Sequence, residues 1–142
     1  MEQLFEFAGN NLFLICLWLA IAILLLWNLT AASIGGAKSL NPAEVTRLVN
    51  RDDAVIIDLR KQADFAKGHI VNARHVPVTQ LDEKLDKLRK DIGNKPIILC
   101  CSNGLESQRC GKQFMQAGFE QVHLIKGGIA AWQQDNLPLV KS

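Results

Sequence analysis

Residues 7 to 37 carry no charged side chain, and all 16 Lys and Arg of this 142-residue chain lie from Lys38 onward. Only Glu2 and Glu6 precede the gap. Within it, Leu12 to Trp27 is an unbroken apolar run that Leu29, Ala31, Ala32 and Ile34 extend. A helix over 12–34 would be about 34 Å long at ~1.5 Å per residue, enough to cross a ~30 Å hydrocarbon core. Trp27 would sit near one interface and Trp18 deeper. A cleaved signal peptide would need positive charge ahead of a shorter apolar core, and neither is present. The chain is therefore expected to divide into a short extracytoplasmic tail at 1–11, a transmembrane helix at 12–34, a linker at 35–40 and a folded domain at 41–142. Basic residues flank the span only on its C-terminal side, at Lys38, Arg47 and Arg51. Positive charge stays inside, so the N-terminus is expected outside and the domain in the cytoplasm.

The segment 38–142 holds 16 basic and 12 acidic side chains, a net +4 that is scattered rather than clustered. Such a balance gives no footprint for nucleic acid. The four cysteines form no C-x-x-C pair, and His69, His75 and His123 do not flank them at finger-like spacing. No structural metal site is expected on that pattern. Adjacent strand residues point to opposite faces, so Cys100 and Cys101 do not naturally bridge each other. Reduced thiols agree with a cytosolic domain.

Strand and helix signals alternate along the domain. Asn41-Pro42-Ala43-Glu44 opens a helix that runs to about Asn50, with Asn as cap and Pro at its first position. Ala54 to Ile57 reads as a buried strand. Val78, Leu81, Leu85, Leu88 and Ile92 lie on one face of an amphipathic helix closed by Gly93. Gln121 to Ile125 is a further strand, and Ile129 to Gln134 a last helix carrying Trp132, with order expected to end at Leu137-Pro138. The alternation predicts an α/β domain with a central parallel sheet flanked by helices on both faces.

One stretch in this pattern carries chemistry. Pro96 to Cys101 reads as a central strand, Ser102 to Gly104 as a tight turn, and the text is helical from Ser107 onward. Cys101 thus falls at the C-terminal end of a parallel strand, where open α/β sheets bind ligands. The backbone N–H groups of residues 102 to 107 and the start of the helix are expected to point at its sulfur and favour an anion there.

Taken together and in order, these landmarks resemble the rhodanese-like domain family. The matching pieces are Asp58-Leu59-Arg60, Phe65, Gly68-His69-Ile70, Ala73, Val76-Pro77, the loop Cys101 to Ser107, Gly118-Phe119, Leu124, Gly127-Gly128, Trp132 and Leu137-Pro138, over roughly residues 41–140. The whole chain looks like the small membrane-anchored bacterial members, which implies a place in the bacterial inner membrane. The resemblance implies that Cys101 takes sulfane sulfur from a donor, becomes a persulfide and passes the sulfur to a thiol or cyanide, with no cofactor. It implies a substrate-binding role for Ser102, Asn103, Gly104, Leu105, Glu106 and Ser107, whose amides would hold the charged sulfur. It places Arg60 near the site, with a surface ion pair as the plainer role, and makes Asp58 a structural acceptor of backbone hydrogen bonds.

Two positions depart from the family pattern. Many active members carry Arg just before the Ser that ends the loop, where this chain has Glu106. A like-charge pair about 4 Å apart costs about 4 kcal/mol at an effective dielectric of ~20, so Glu106 is expected to oppose a dianion such as thiosulfate. A small neutral donor or a protein persulfide would avoid that cost. Asn72 also stands where many members have Gly. The competing reading is a rhodanese-like interaction or regulatory module that meets a membrane-protein partner without turnover. A cysteine phosphatase would need Arg at the position of Ser107.

Overall fold

A computed structural model describes the backbone of every residue except 35 and the side chains of all but 8 and 29–35. It divides into two compact units, Met1–Gly36 and Ala37–Ser142. The first contains α1 (Glu2–Asn10) and α2 (Leu12–Ile34, 23 residues). The helix α1 lies where a plain tail was expected. Among the described residues, no helix is long and apolar enough to cross a membrane.

The second unit runs β1 (Lys38–Leu40), α3 (Pro42–Asp52), β2 (Val55–Asp58), α4 (Gln62–Lys67), β3 (Arg74–His75), α5 (Leu81–Ile92), β4 (Ile97–Cys100), α6 (Leu105–Gln116), β5 (Val122–Ile125) and α7 (Gly128–Gln134). Among the described residues the five strands of the sheet pair in parallel, in the order β1-β5-β4-β2-β3. Residues 38–40, expected as the end of a linker, are thus an edge strand, because their backbone finds a partner in β5. The start of that linker, residue 35, lies outside the described residues. The predicted helix face from Val78 to Ile92 begins with a 3-10 turn at Val78–Gln80 and becomes α-helical at Leu81. The order also persists past Pro138: Val140 and His69 exchange backbone hydrogen bonds of 2.8 and 2.9 Å.

Register explains the two-faced core. Ile57, Leu99 and Leu124 lie in one row across β2, β4 and β5, and Ile56 and Ile98 in the next. Because successive strand residues face opposite sides, each row serves a different layer. The first packs with Leu81, Leu88, Cys110 and Phe114 of α5 and α6. The second packs with Val45 of α3 and Ile129 and Trp132 of α7. Helices therefore cover both faces, as the alternation predicted. The start of α3 is a reciprocal capping box: Asn41 Oδ1 accepts from the Glu44 amide and Glu44 Oε2 from the Asn41 amide, both at 2.9 Å. Losing such a cap costs about 1 kcal/mol.

Candidate active site

The site lies where β2 and β4 end side by side. Leu59 N–H donates to the Cys100 carbonyl at 2.9 Å, which locks the two carboxyl ends together. Cys100 is the last residue of β4, and its side chain joins the α3/α7 layer of the core. Cys101 follows with the opposite direction and is fully buried at the floor of a cleft of about 590 Å³. Burial, reinforced by the nearby Asp58 carboxylate, pushes the Cys100 thiol well above its ordinary pKa. Burial and the charge of Glu106 also raise that of Cys110 on α6.

Two of the expected amides reach the Cys101 sulfur: Gly104 N–H at 3.0 Å and Ser107 N–H at 3.4 Å. The Leu105 amide does not, because Asn103 Oδ1 takes it at 3.1 Å. The cradle is thus narrower than the full run 102–107. Ser102, Asn103, Leu105 and Glu106 line the cleft instead, and the Ser107 hydroxyl is buried with no hydrogen-bond partner among the described residues. Gly104 makes the turn possible: its φ of 93° is open to glycine and strained for other residues. Gly128 allows the close approach behind it. A Cβ there would strike the Cys101 carbonyl oxygen and stand 2.9 Å from the amide nitrogens of Asn103 and Gly104. Ile129 N–H then ties the Cys101 carbonyl down at 2.8 Å.

Arg60 forms part of the opposite wall, but not as a surface ion pair. It is 8 % exposed and donates to Asp58 from its backbone, Nε and Nη2, with the shortest contact at 2.8 Å. Nη2 also donates to the Gly68 carbonyl at 2.7 Å. Burial alone would lower the Arg60 pKa; the hydrogen bond and charge of Asp58 outweigh it and raise it. Asp58 is structural, as expected, and accepts the Arg60 amide at 3.0 Å. Phe65 is stacked against His69 on one side and His75 on the other, with centroids 3.8 and 4.4 Å away. His69 and His75 bond to the Phe65 and Arg60 carbonyls, so both are framework residues. Asn72, at the second departure, has φ of 62°. Asn tolerates the left-handed region better than most residues, so Asn72 can hold this backbone conformation.

Sequence reasoning missed the charged residues Lys61, Asp64 and Arg109 of the cleft, and its uncharged wall of Leu59, Pro77, Val78 and Thr79. Arg109 stands three positions after Glu106 on α6, a spacing that brings helix side chains to one face. That spacing was the available signal.

The profile of the rhodanese-like domain matches residues 41–135. The chain belongs to the rhodanese-like family. It is 32% identical over 142 residues to an uncharacterized protein, YibN, of Escherichia coli strain K12, covering 99% of both chains. It is also 32% identical over 96 residues to the thiosulfate sulfurtransferase GlpE of Coxiella burnetii, covering 68% of this chain and 87% of that one. Among solved structures, a rhodanese-related protein from Thermoplasma volcanium superposes with a TM-score of 0.65 at 26% identity, over 74% of this chain and 99% of that one.

Proposed function

We propose that this rhodanese-like protein is a membrane-anchored sulfurtransferase that carries sulfane sulfur as a persulfide on Cys101. One observation carries the reading: two backbone N–H groups converge on a single sulfur at the floor of a cleft. Such donors stabilise negative charge on sulfur, before and after a second sulfur atom is added. The Cys101 thiolate attacks the outer sulfur of a donor; with thiosulfate, the sulfur–sulfur bond breaks and sulfite leaves with the electron pair. The charge stays on the outer sulfur of the persulfide, which an acceptor thiolate or cyanide then removes. Similarity to a thiosulfate sulfurtransferase over 96 residues supports the same class of chemistry.

The anchor is proposed from residues 12–34. Its support is the charge-free stretch 7–37 and a helix whose apolar side chains face outward, with Phe13 78% and Trp18 71% exposed. The basic flank after the stretch supports a cytoplasmic domain on a bacterial inner membrane. The test is intact mass of the full chain in detergent after incubation with thiosulfate. Wild type should gain one sulfur atom and Cys101→Ser none; a wild type that gains nothing from any sulfane donor leaves the interaction-module reading standing. Extraction of membranes at high pH should leave the protein in the pellet, and release into the wash would refute the anchor.

A further inference from the structure

The charges around the Cys101 cleft do not balance as Glu106 alone suggests. Its lining includes Arg60, Lys61 and Arg109 against Asp64 and Glu106. Arg60 is already committed to Asp58 and to the Gly68 carbonyl. Lys61 and Arg109 are exposed and, among the described residues, form no ion pair with a carboxylate. Neither cation is held in an ion pair among the described residues, so both are free to turn toward an approaching reagent, with Asp64 and Glu106 in the same lining. Arg109 follows Glu106 by three residues on α6, so the two charges stand on neighbouring parts of one helix surface.

We propose that Arg109 sets the charge preference of access to Cys101, turning a mouth that Glu106 alone would close to anions into one that admits them. The Arg109 guanidinium attracts an anionic sulfur donor, Lys61 adds to that attraction from the opposite wall, and Glu106 and Asp64 limit it. Donor selection rests on the persulfide reading above; the electrostatic role of Arg109 does not. Arg109 does not touch the sulfur-bonding amides, so its removal should change which reagents arrive and leave the nucleophile as it is.

The first experiment needs no turnover. Full-length protein in detergent is alkylated with iodoacetate, an anion, and iodoacetamide, its neutral counterpart, and modification of Cys101 is followed by peptide mass. Arg109→Gln should lower the iodoacetate-to-iodoacetamide rate ratio about 2- to 5-fold at low salt, the range of exposed charge interactions. Glu106→Gln should raise it by a similar factor, and both effects should fade at high salt. An unchanged or raised ratio in Arg109→Gln overturns the proposal. So does an equal fall for both reagents, which would mean a structural role, or a Cys101 that neither reagent reaches. The second experiment measures sulfur loading from thiosulfate and from neutral elemental sulfur, whose ring opens at one sulfur–sulfur bond as the Cys101 thiolate attacks and leaves the charge on the terminal sulfur. Arg109→Gln should slow the former about 4- to 25-fold, since a dianion feels the charge twice, and leave the latter unchanged. If wild type loads from neither donor, the sulfurtransferase reading fails while the alkylation ratio still decides the role of Arg109.

Discussion

At the end of β2, Arg60 and Asp58 hold each other through donors on the Arg60 backbone, Nε and Nη2, and Gly68 takes a further bond. One strand away, at the end of β4, the Cys101 sulfur is held, among the described residues, by two backbone amides. The first centre is closed, because its charges neutralise each other and leave nothing for a ligand. The second is open: the amides stabilise charge but supply no counterion, and an unpaired hydroxyl stands in the same loop. The difference teaches where each kind of stabilisation belongs. A side-chain ion pair fixes a wall, whereas oriented peptide dipoles suit a group whose charge and length would change in the proposed sulfur transfer.

The largest break in this comparison comes from the closed side. Asp58→Asn strands the buried Arg60 charge and should cost about 3–5 kcal/mol in urea unfolding of the C-terminal unit. Replacing both residues by Leu should recover part of that loss, since a well-packed apolar pair avoids the unpaired charge. On the open side, Gly128→Ala forces a side chain into the Cys101 carbonyl and the neighbouring amides. It combines a left-handed alanine with overpacking and should cost about 2–4 kcal/mol. Sulfur uptake by Cys101 should fall with it, and unchanged uptake would mean that the loop is not braced from behind.

A smaller effect separates the adjacent cysteines. The Cys100 thiol has a raised pKa in the fold, so its contribution to stability is complete below the unfolded value of about 8.5. That contribution is lost as pH climbs from there through the folded value, by up to about 1.4 kcal/mol per pH unit. Cys100→Ala should flatten this alkaline limb without touching persulfide formation; Cys110, shifted in the same direction, should leave part of the slope. The smallest effect on stability is expected from Ser107→Ala, which removes an unpartnered buried hydroxyl and should change folding by less than about 1 kcal/mol. Its signature is kinetic: the Cys101 persulfide should decay several-fold faster in a time course of intact mass.

Local chemistry made much of this legible in the sequence. The capping box at Asn41 and Glu44 lies within four residues, and the strand–turn–helix around Cys101 is written in consecutive letters. The two-layer core followed from alternation in β2, β4 and β5. What escaped depends on partners distant in sequence. Nothing in Lys38-Ser39-Leu40 marks a strand until β5 lies beside it, and Val140 gains order only through His69. Arg60 has the composition of a surface residue until Asp58 and Gly68 enclose it. Arg109 escaped because the loop ends at Ser107, and only the helix brings a later residue back to the cleft.

The pairing of β1 with β5 also has a consequence in time. Lys38 faces His123, about 85 positions later in the chain. At ~5–20 residues per second, translation needs roughly 4 to 17 s to supply that partner. Throughout this interval the first strand of the domain exists with no template to join. Its brevity and its charged Lys38 are the features that keep waiting edges from pairing with other chains. The sheet can complete this border only when nearly all of the domain has been made, so truncation before Val122 should leave every nascent copy with an unclosed edge.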